Sequence, residues 1–350
     1  MPHKGVVLFA DRPSQNGCTC GNAQLPALEH VANRPIVHHV LDAMRAAGVD
    51  QLIVAGPSDV LIDVRACLGA YERGAMQMEY VFCGQDAGVA ASMRAAAPLV
   101  GAAPCIVHVG DGLLDEPLAP HVAALHEHSL DLVLLCPAPP FGDPDIRPLE
   151  SPTSLPTMAG LLGDAGIGVF GPGAFRQACR AYAAGPSYGL AELAQRLSDD
   201  GGQVQVRLAE GWRRYCGNPT DLLEVNRLAL DLLGPQLRPH AAGQNRIEGR
   251  VQIDPTATVT ASVIVGPVVV GPGAQVSDAY VGPYTSIGSG ATIAGAEIER
   301  SIISPGACVM HVGARLVSSL VGRGAHVFRD FSLPRAMRLR VGEGDEIALC

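Results

Sequence analysis

Lysine is almost missing from this chain: of its 25 lysine and arginine residues, only Lys4 is a lysine. A mechanism that needs a compact, buried ammonium group is therefore nearly excluded, because the planar guanidinium of arginine does not reproduce its geometry. Paired thiols are missing too. The 10 cysteines are scattered without a single C-x-x-C pair, which removes the usual zinc and dithiol patterns and leaves reduced core thiols as the expectation. Only Cys18 and Cys20 lie close together, in a polar loop with Gly17 and Gly21. No apolar run reaches the length that crosses a bilayer. The short run Gly5 to Ala10 ends in Asp11 and Arg12 without a cleavage pattern, so a cytoplasmic protein is expected. Excess positive charge is the last absence. With a formal net charge of -9, the chain lacks the cationic surface that neutralises nucleic-acid phosphates. Small molecules or proteins are the expected partners, with no nucleic acid and no membrane.

What is present is a long chain rich in core-forming residues. Its 350 residues, 48% hydrophobic and 17% charged, exceed what one core usually holds and predict two domains. Up to about residue 235, short apolar runs alternate with amphipathic segments, the pattern of an α/β domain with a largely parallel sheet. Strands are expected at Val6 to Ala10, Gln51 to Ala55, Glu79 to Phe82, Cys105 to Val109, Asp131 to Cys136, Ile167 to Phe170 and Val204 to Leu208. A helix begins after Asn33 with Pro35 in its first turn, carries Ile36, Val37, Val40, Leu41 and Met44 on one face, and stops at Gly48. Another runs from about Pro219 to Leu233 and closes the domain. The proline-dense stretch Pro137 to Pro156 is expected to be irregular.

After a linker over 236–246 the period changes. Ile253, Val259, Val265, Val270, Val276, Val281, Ile287, Ile293, Ile298, Ile303 and Val309 follow one another in steps of five or six residues, punctuated by Gly271-Pro272-Gly273, Gly282-Pro283-Tyr284 and Gly288-Ser289-Gly290. This is a hexapeptide repeat: each step is one short strand of a triangular coil, with the aliphatic anchor turned inward and small residues at the corner. A left-handed parallel β-helix over 247–330, followed by a tail over 331–350, is the expectation. Such a coil exposes sheet edges, so a homo-oligomer is expected.

Local sequence narrows the field. Val31-Ala32-Asn33-Arg34-Pro35, Gly110-Asp111, Gly211-Trp212, Gly217-Asn218-Pro219-Thr220-Asp221-Leu222-Leu223 and Asn226-Arg227 occur in order, as do Ile247-Glu248-Gly249-Arg250, Gly266-Pro267-Val268-Val269 and the run Val281 to Gly288. Over nearly its whole length the chain resembles the sugar-1-phosphate nucleotidylyltransferases, and among them the long-form glucose-1-phosphate thymidylyltransferases. The resemblance implies a Rossmann-like nucleotidyltransferase domain with a mixed, mostly parallel sheet. It also implies a reaction that joins a nucleoside triphosphate to a sugar 1-phosphate and releases pyrophosphate.

In-line attack at the α-phosphorus builds negative charge that backbone N–H groups, cations and a metal must meet. The family uses a G-G-x-G-T-R loop after the first strand, a Pro-Lys pair, a Glu-Lys-Pro near the sugar, and two aspartates for Mg²⁺. Counting back from Val31, that loop falls on Asp11-Arg12-Pro13-Ser14-Gln15-Asn16. The glycines are gone, Asn16 replaces the arginine, Pro13 has removed a donor, and Asp11 adds negative charge. Pro26 replaces the first lysine, and no Glu-Lys-Pro lies between Asp143 and Met158. The resemblance places nucleotide contacts on Ala10, Asp11, Arg12, Ser14, Asn16, Gln85, Gly88 and Gly110, and sugar-side contacts on Gly166 and Tyr215. It makes Asp111 the catalytic metal carboxylate. The second aspartate falls on Tyr215, so Mg²⁺ is left with one carboxylate and is held weakly unless substrate phosphates complete its shell.

Removing one preorganised donor typically costs about 10² to 10³ in rate, and several are altered together here. The expectation is a thymidylyltransferase-like protein whose nucleotidyl transfer is lost or strongly altered, acting as a pseudoenzyme or on other chemistry in the same pocket. An active enzyme joining a nucleoside triphosphate to a sugar 1-phosphate is the alternative, and an oligomeric scaffold for a paralogous nucleotidylyltransferase is another. Plainer readings stand beside each residue. Asp111 is also placed to cap a helix, and Gly166 to allow close packing. Of His121, His126 and His128 only the first and last share a helical face, which favours a solvated helix end over a zinc site. His311 and His326 lie on the coil, where a histidine base for acyl transfer has no other support. Arg213-Arg214 beside Trp212 and Tyr215 could hold an anion, stack on a base, or form a structural pair at a strand end.

Overall fold

The computed structural model describes residues 3–10, 25–69, 76–84, 88–137, 165–180, 189–209, 211–215, 217–234 and 244–329. The first half is organised by the strands β1 (His3–Leu8), β4 (Val49–Pro57), β5 (Gln77–Cys83), β6 (Cys105–Val109), β8 (Leu132–Pro137), β9 (Ile167–Phe170) and β10 (Val204–Ala209), with two small pairs, β2 (His30–Val31) on β3 (Arg34–Pro35) and β7 (Gly112–Leu114) on β11 (Trp212–Arg214). The seven main strands form one sheet in the order β10-β8-β9-β6-β1-β4-β5. All pairings are parallel except those of β9, which runs antiparallel to both β6 and β8. Each of the seven expected strands is found. β1 starts earlier than expected and ends at Leu8.

Helices cover both faces, as a sheet of continuously apolar strands requires. They are α1 (Ile36–Ala46), α2 (Ser58–Leu68), α3 (Gly88–Val100), α4 (Ala119–Glu127), α5 (Ala174–Arg180), α6 (Leu190–Asp199) and α7 (Pro219–Asp231). One core packs α3, α5 and α6 onto Val6, Leu8, Val107, Leu132 and Leu134. The opposite core packs α1 and α2 onto Val7, Val54, Ile106, Val133 and Val169. Every strand residue named is at most 1% exposed, and each such side chain stabilises the fold by about 1.5 to 3 kcal/mol.

α1 follows its sequence pattern. Pro35 precedes it, Ile36, Val37, Val40, Leu41 and Met44 are buried, and Gly48 turns the chain at φ 86°. α7 begins where the Asn218 side chain accepts from the Thr220 N–H at 3.0 Å, with Pro219 at the first position, which has no use for an N–H. Among the described residues no helix is long and apolar enough to cross a membrane. The proline-dense stretch 138–156 and the loop with Cys18 and Cys20 lie outside the described residues. The six described cysteines are free thiols.

The second half is the left-handed coil, built of three parallel five-stranded sheets. Ile247, Ile264, Val281, Ile298 and Leu316 stack in register along one wall. Ile253, Val270, Ile287, Ile303 and Val321 stack along the second, and Val259, Val276, Ile293, Val309 and Val327 along the third. One anchor is corrected. Val265 is only half buried, and the inward position is Ile264, fully covered. The step after Val259 is therefore five residues, and Val265 faces outward as the period-2 alternation of a strand demands.

The two halves meet through an apolar cluster of Val31, Ala32, Ile36, Tyr215, Leu222, Val225, Val269 and Ile302. Asn226, 1% exposed, is its polar centre. Its side-chain oxygen accepts from the Ala32 N–H at 2.9 Å and from the Ser286 hydroxyl at 2.7 Å, and its amide donates to the Tyr284 carbonyl at 3.3 Å. Asn33 donates to the Ile287 carbonyl at 2.7 Å. The turn at Ala32 and Asn33, both in the left-handed region at φ 45° and 63°, is thus pinned to the coil.

Candidate active site

In an open α/β sheet, ligands bind beyond the carboxyl ends of the strands. Here β1 and β6 end side by side. Phe9 and Ala10 follow β1, and Gly110 and Asp111 follow β6, with the Gly110 N–H donating to the Leu8 carbonyl at 2.9 Å. Gly110 is forced by packing, since a Cβ there would lie 2.4 Å from the Phe9 ring. Ala10 is exposed. α3 is tied to the same corner: Gly88 opens it at φ 61°, and the Ser92 hydroxyl donates to the Phe9 carbonyl at 3.2 Å. Asp11, Arg12, Ser14, Asn16 and Gln85 lie outside the described residues.

The described walls of the cavity at this corner enclose about 40 Å³ and include Ala10, Leu25, Pro26, Val60 and Asp111. Pro26, where the family's first lysine was expected, does share this space with Asp111. Asp111 is the only charged group among the described residues that line it.

Asp111 neither caps a helix nor stands open. It sits in the turn between β6 and β7, and the antiparallel pairing of β7 with β11 sets Arg214 opposite Gly112. From there Arg214 reaches both carboxylate oxygens of Asp111, Nε to Oδ1 at 3.0 Å and Nη2 to Oδ2 at 2.8 Å. The two side chains are 24% and 21% exposed. A forked, charge-assisted pair of this kind is among the stronger polar contacts in proteins. It leaves little room for a divalent cation: two unit charges 4 Å apart repel by about 4 kcal/mol at an effective dielectric constant of 20, and a divalent ion doubles that.

Trp212 holds this arrangement in place. Its ring is 1% exposed and lies edge-on to His108 at 5.4 Å. Cβ atoms at Gly112 and Gly166 would stand 2.1 and 2.0 Å from it. The position of Gly166 is therefore explained by packing against the indole. Tyr215 donates its backbone N–H to the Asp111 carbonyl at 3.0 Å, while its ring is buried in the cluster that joins the two halves. His108 is fully enclosed. Its Nδ1–H donates to the Val109 carbonyl at 2.5 Å, and burial pushes its pKa down to about 4, so the ring is neutral at pH 7.

The remaining candidates scatter. His121 is buried rather than solvated, 3.6 Å from Glu116 and 3.5 Å from Arg207, and burial followed by that arginine lowers its pKa to about 4. Among the described residues no three His, Cys, Asp or Glu side chains could share a metal. His311 and His326 both belong to the coil, the first directly after the strand Cys308–Met310 and the second opening the strand His326–Phe328.

Fold and sequence similarity together place the chain in the sugar-nucleotide nucleotidyltransferase class. No family model matches the chain. It is 30% identical over 328 residues to a glucose-1-phosphate thymidylyltransferase from Streptomyces griseus, covering 89% of this chain and 90% of that one. It is 29% identical over 336 residues to the enzyme of that name from Streptomyces antibioticus, covering 91% and 92%. A third relative, the low-salt glycan biosynthesis nucleotidyltransferase Agl11 of Haloferax volcanii, is 28% identical over 337 residues. A solved Bacillus anthracis structure described as a glucose-1-phosphate thymidylyltransferase superposes with a TM-score of 0.53 at 16% identity, covering 67% of this chain and 98% of that one, and shares the fold. The chain belongs to the glucose-1-phosphate thymidylyltransferase family.

Sequence reasoning misses the Asp111 to Arg214 pair, although a signal is there. Counted forward from Trp212 rather than back from Gly217, the carboxylate of W-x-D-x-G falls on Arg214. Asn226 stands in the sequence only as part of a family motif, and nothing local to it announces a junction.

Proposed function

We propose that this chain is a glucose-1-phosphate thymidylyltransferase-like protein in which nucleotidyl transfer has been lost, kept as a binding or accessory subunit. The observation that carries the reading is the capture of both Asp111 oxygens by Arg214. The residues present do not fit Mg²⁺. The carboxylate that the family relationship implies as a ligand is neutralised by a guanidinium, and, counted forward from Trp212, that guanidinium stands where the second carboxylate would be. No step is routed through a metal. What remains is a strand-end corner whose Asp111 to Arg214 pair is neutral overall and supplies neither a metal ligand nor an uncompensated cation, which supports ligand binding without turnover or an accessory role. A homo-oligomer is part of the proposal, supported by the apolar side chains left exposed on the last coil, Val317, Leu320 and Phe328.

The deciding experiment incubates the protein with Mg²⁺, each nucleoside triphosphate in turn, and glucose 1-phosphate, and follows pyrophosphate. None is expected above background. Sustained release that disappears in Asp111→Ala would instead establish an active enzyme, and the proposal would fall.

A further inference from the structure

α5 presents two like charges. Arg176 and Arg180 stand four residues apart, on one side of the helix, a spacing at which equal charges repel. Elsewhere arginines meet carboxylates: Arg34 pairs with Asp42, Arg227 with Glu224 and Asp231, Arg250 with Asp231, and Arg315 with Glu297 and Glu299. Among the described residues, the side chains of Arg176 and Arg180 enter no ion pair or hydrogen bond. Their charge is uncompensated within the fold.

They border a space. A cleft of about 480 Å³ runs between α5 and α3, walled by Arg94, Arg176 and Arg180 together with Ala97, Pro98 and Cys179. An adjoining cleft of about 760 Å³ is shared by Arg176 and Arg180 and bounded by Asp200. Arg94 comes from α3 and is half buried. The carboxyl end of α3 adds a negative partial charge of about half a unit, and Asp200 adds one more on the far side; against these, the guanidinium groups of Arg176 and Arg180 leave the cleft positive. Cys179 contributes no nucleophile, because burial raises its thiol pKa to about 12.

This cleft is not the Asp111 corner. Ser92, early in α3, bonds the Phe9 carbonyl at the end of β1, whereas the Leu99 carbonyl, late in α3, accepts from Lys4 at the start of β1. Pro98 and Gly101 therefore lie toward the amino ends of the central strands, opposite the carboxyl ends where Asp111 sits.

We propose that the cleft between α3 and α5 is an anion site for a small phosphate-bearing molecule. Forked guanidinium groups engage phosphate oxygens two at a time, and arginine is the residue best shaped for it. The volume matches that of small-molecule sites. The site is independent of the reading of Asp111.

Calorimetry at constant ionic strength tests it, with inorganic phosphate, pyrophosphate and a nucleoside diphosphate as probes. The full chain is compared with an Arg176→Gln, Arg180→Gln double variant and with Arg94→Gln. Saturable binding to at least one probe is expected in the full chain, weakened about tenfold or more in the double variant and in Arg94→Gln. Circular dichroism checks the variants; if Arg94→Gln does not fold, the double variant decides. The proposal is overturned by absence of saturable binding to all three probes, by equal binding in the double variant, or by preference for an acidic peptide over every phosphate probe.

Discussion

The coil and the strand-end corner tolerate change differently. In the coil, five residues stack along each wall, every rung repeats the one below it, and each anchor makes much the same contact as its neighbours. In the corner between β1 and β6, single residues have no substitute: Asp111 has one carboxylate, Trp212 fills one slot between two glycines, and Arg214 makes one forked pair. Repetition spreads stability over many equivalent positions. A site built from unique side chains changes its chemistry with a single replacement. The scaffold of a transferase can therefore persist while its reaction is removed, and a fold alone says little about activity.

Substitutions can break or sharpen that contrast. Trp212→Ala should have the largest effect, about 3 to 5 kcal/mol of lost stability by urea denaturation, because it empties the slot bounded by Gly112 and Gly166. A loss below about 1 kcal/mol would mean that the corner collapses as readily as a coil rung relaxes.

Acid should act on the α/β half next. His39 and His108 have pKa values lowered to about 4 from 6.5, chiefly by burial. The unfolded chain therefore binds more protons than the folded one between those values. Stability is whole above about pH 6.5 and falls as pH drops toward 4, by roughly 3 kcal/mol for the enclosed His108 ring and less for the partly exposed His39. Denaturation midpoints measured across that window should decline. A flat profile would show that these rings accept protons in the fold.

Asn226→Ala comes after that. It strands the Ala32 N–H and the Ser286 hydroxyl at the junction, for about 1 to 3 kcal/mol. Limited proteolysis should then separate the two halves more readily, and unchanged cleavage would assign the junction to its apolar contacts alone.

Arg214→Asp tests the charge directly. It should confer saturable Mn²⁺ binding, followed by calorimetry, that the native chain lacks. Equal binding in both would mean that the guanidinium does not exclude the ion.

In the coil, Ile264→Val should cost only about 0.5 to 1.5 kcal/mol, and Val265→Ala less still. The reverse order would restore Val265 as the inward anchor.

Much of the fold is legible in the residues themselves. The seven strands announce themselves as short apolar runs, α1 as a 3.6-residue stripe after Pro35, and the coil as an aliphatic step of five or six residues. The miss at Val265 shows the limit of counting. Val263, Ile264 and Val265 are all aliphatic, and only the corner geometry decides which one points in. The family resemblance, counted along the chain, places its motif positions on Asp111 and Pro26, and the two do share one cavity. In the sequence Arg214 is an arginine of unassigned role and His121 looks solvated, because exposure depends on what packs over a helix rather than on its own spacing.

Sequence by itself determined the element types, their order and the period of the coil, since these depend on backbone preferences and on which faces are apolar, both local properties. Tertiary structure alone decided that Arg214 takes Asp111 across 103 residues of chain and that Asn226 reaches Ala32 across 194. Such contacts are set by how strands cross and pack. No local pattern of residues encodes which distant partner a side chain will meet.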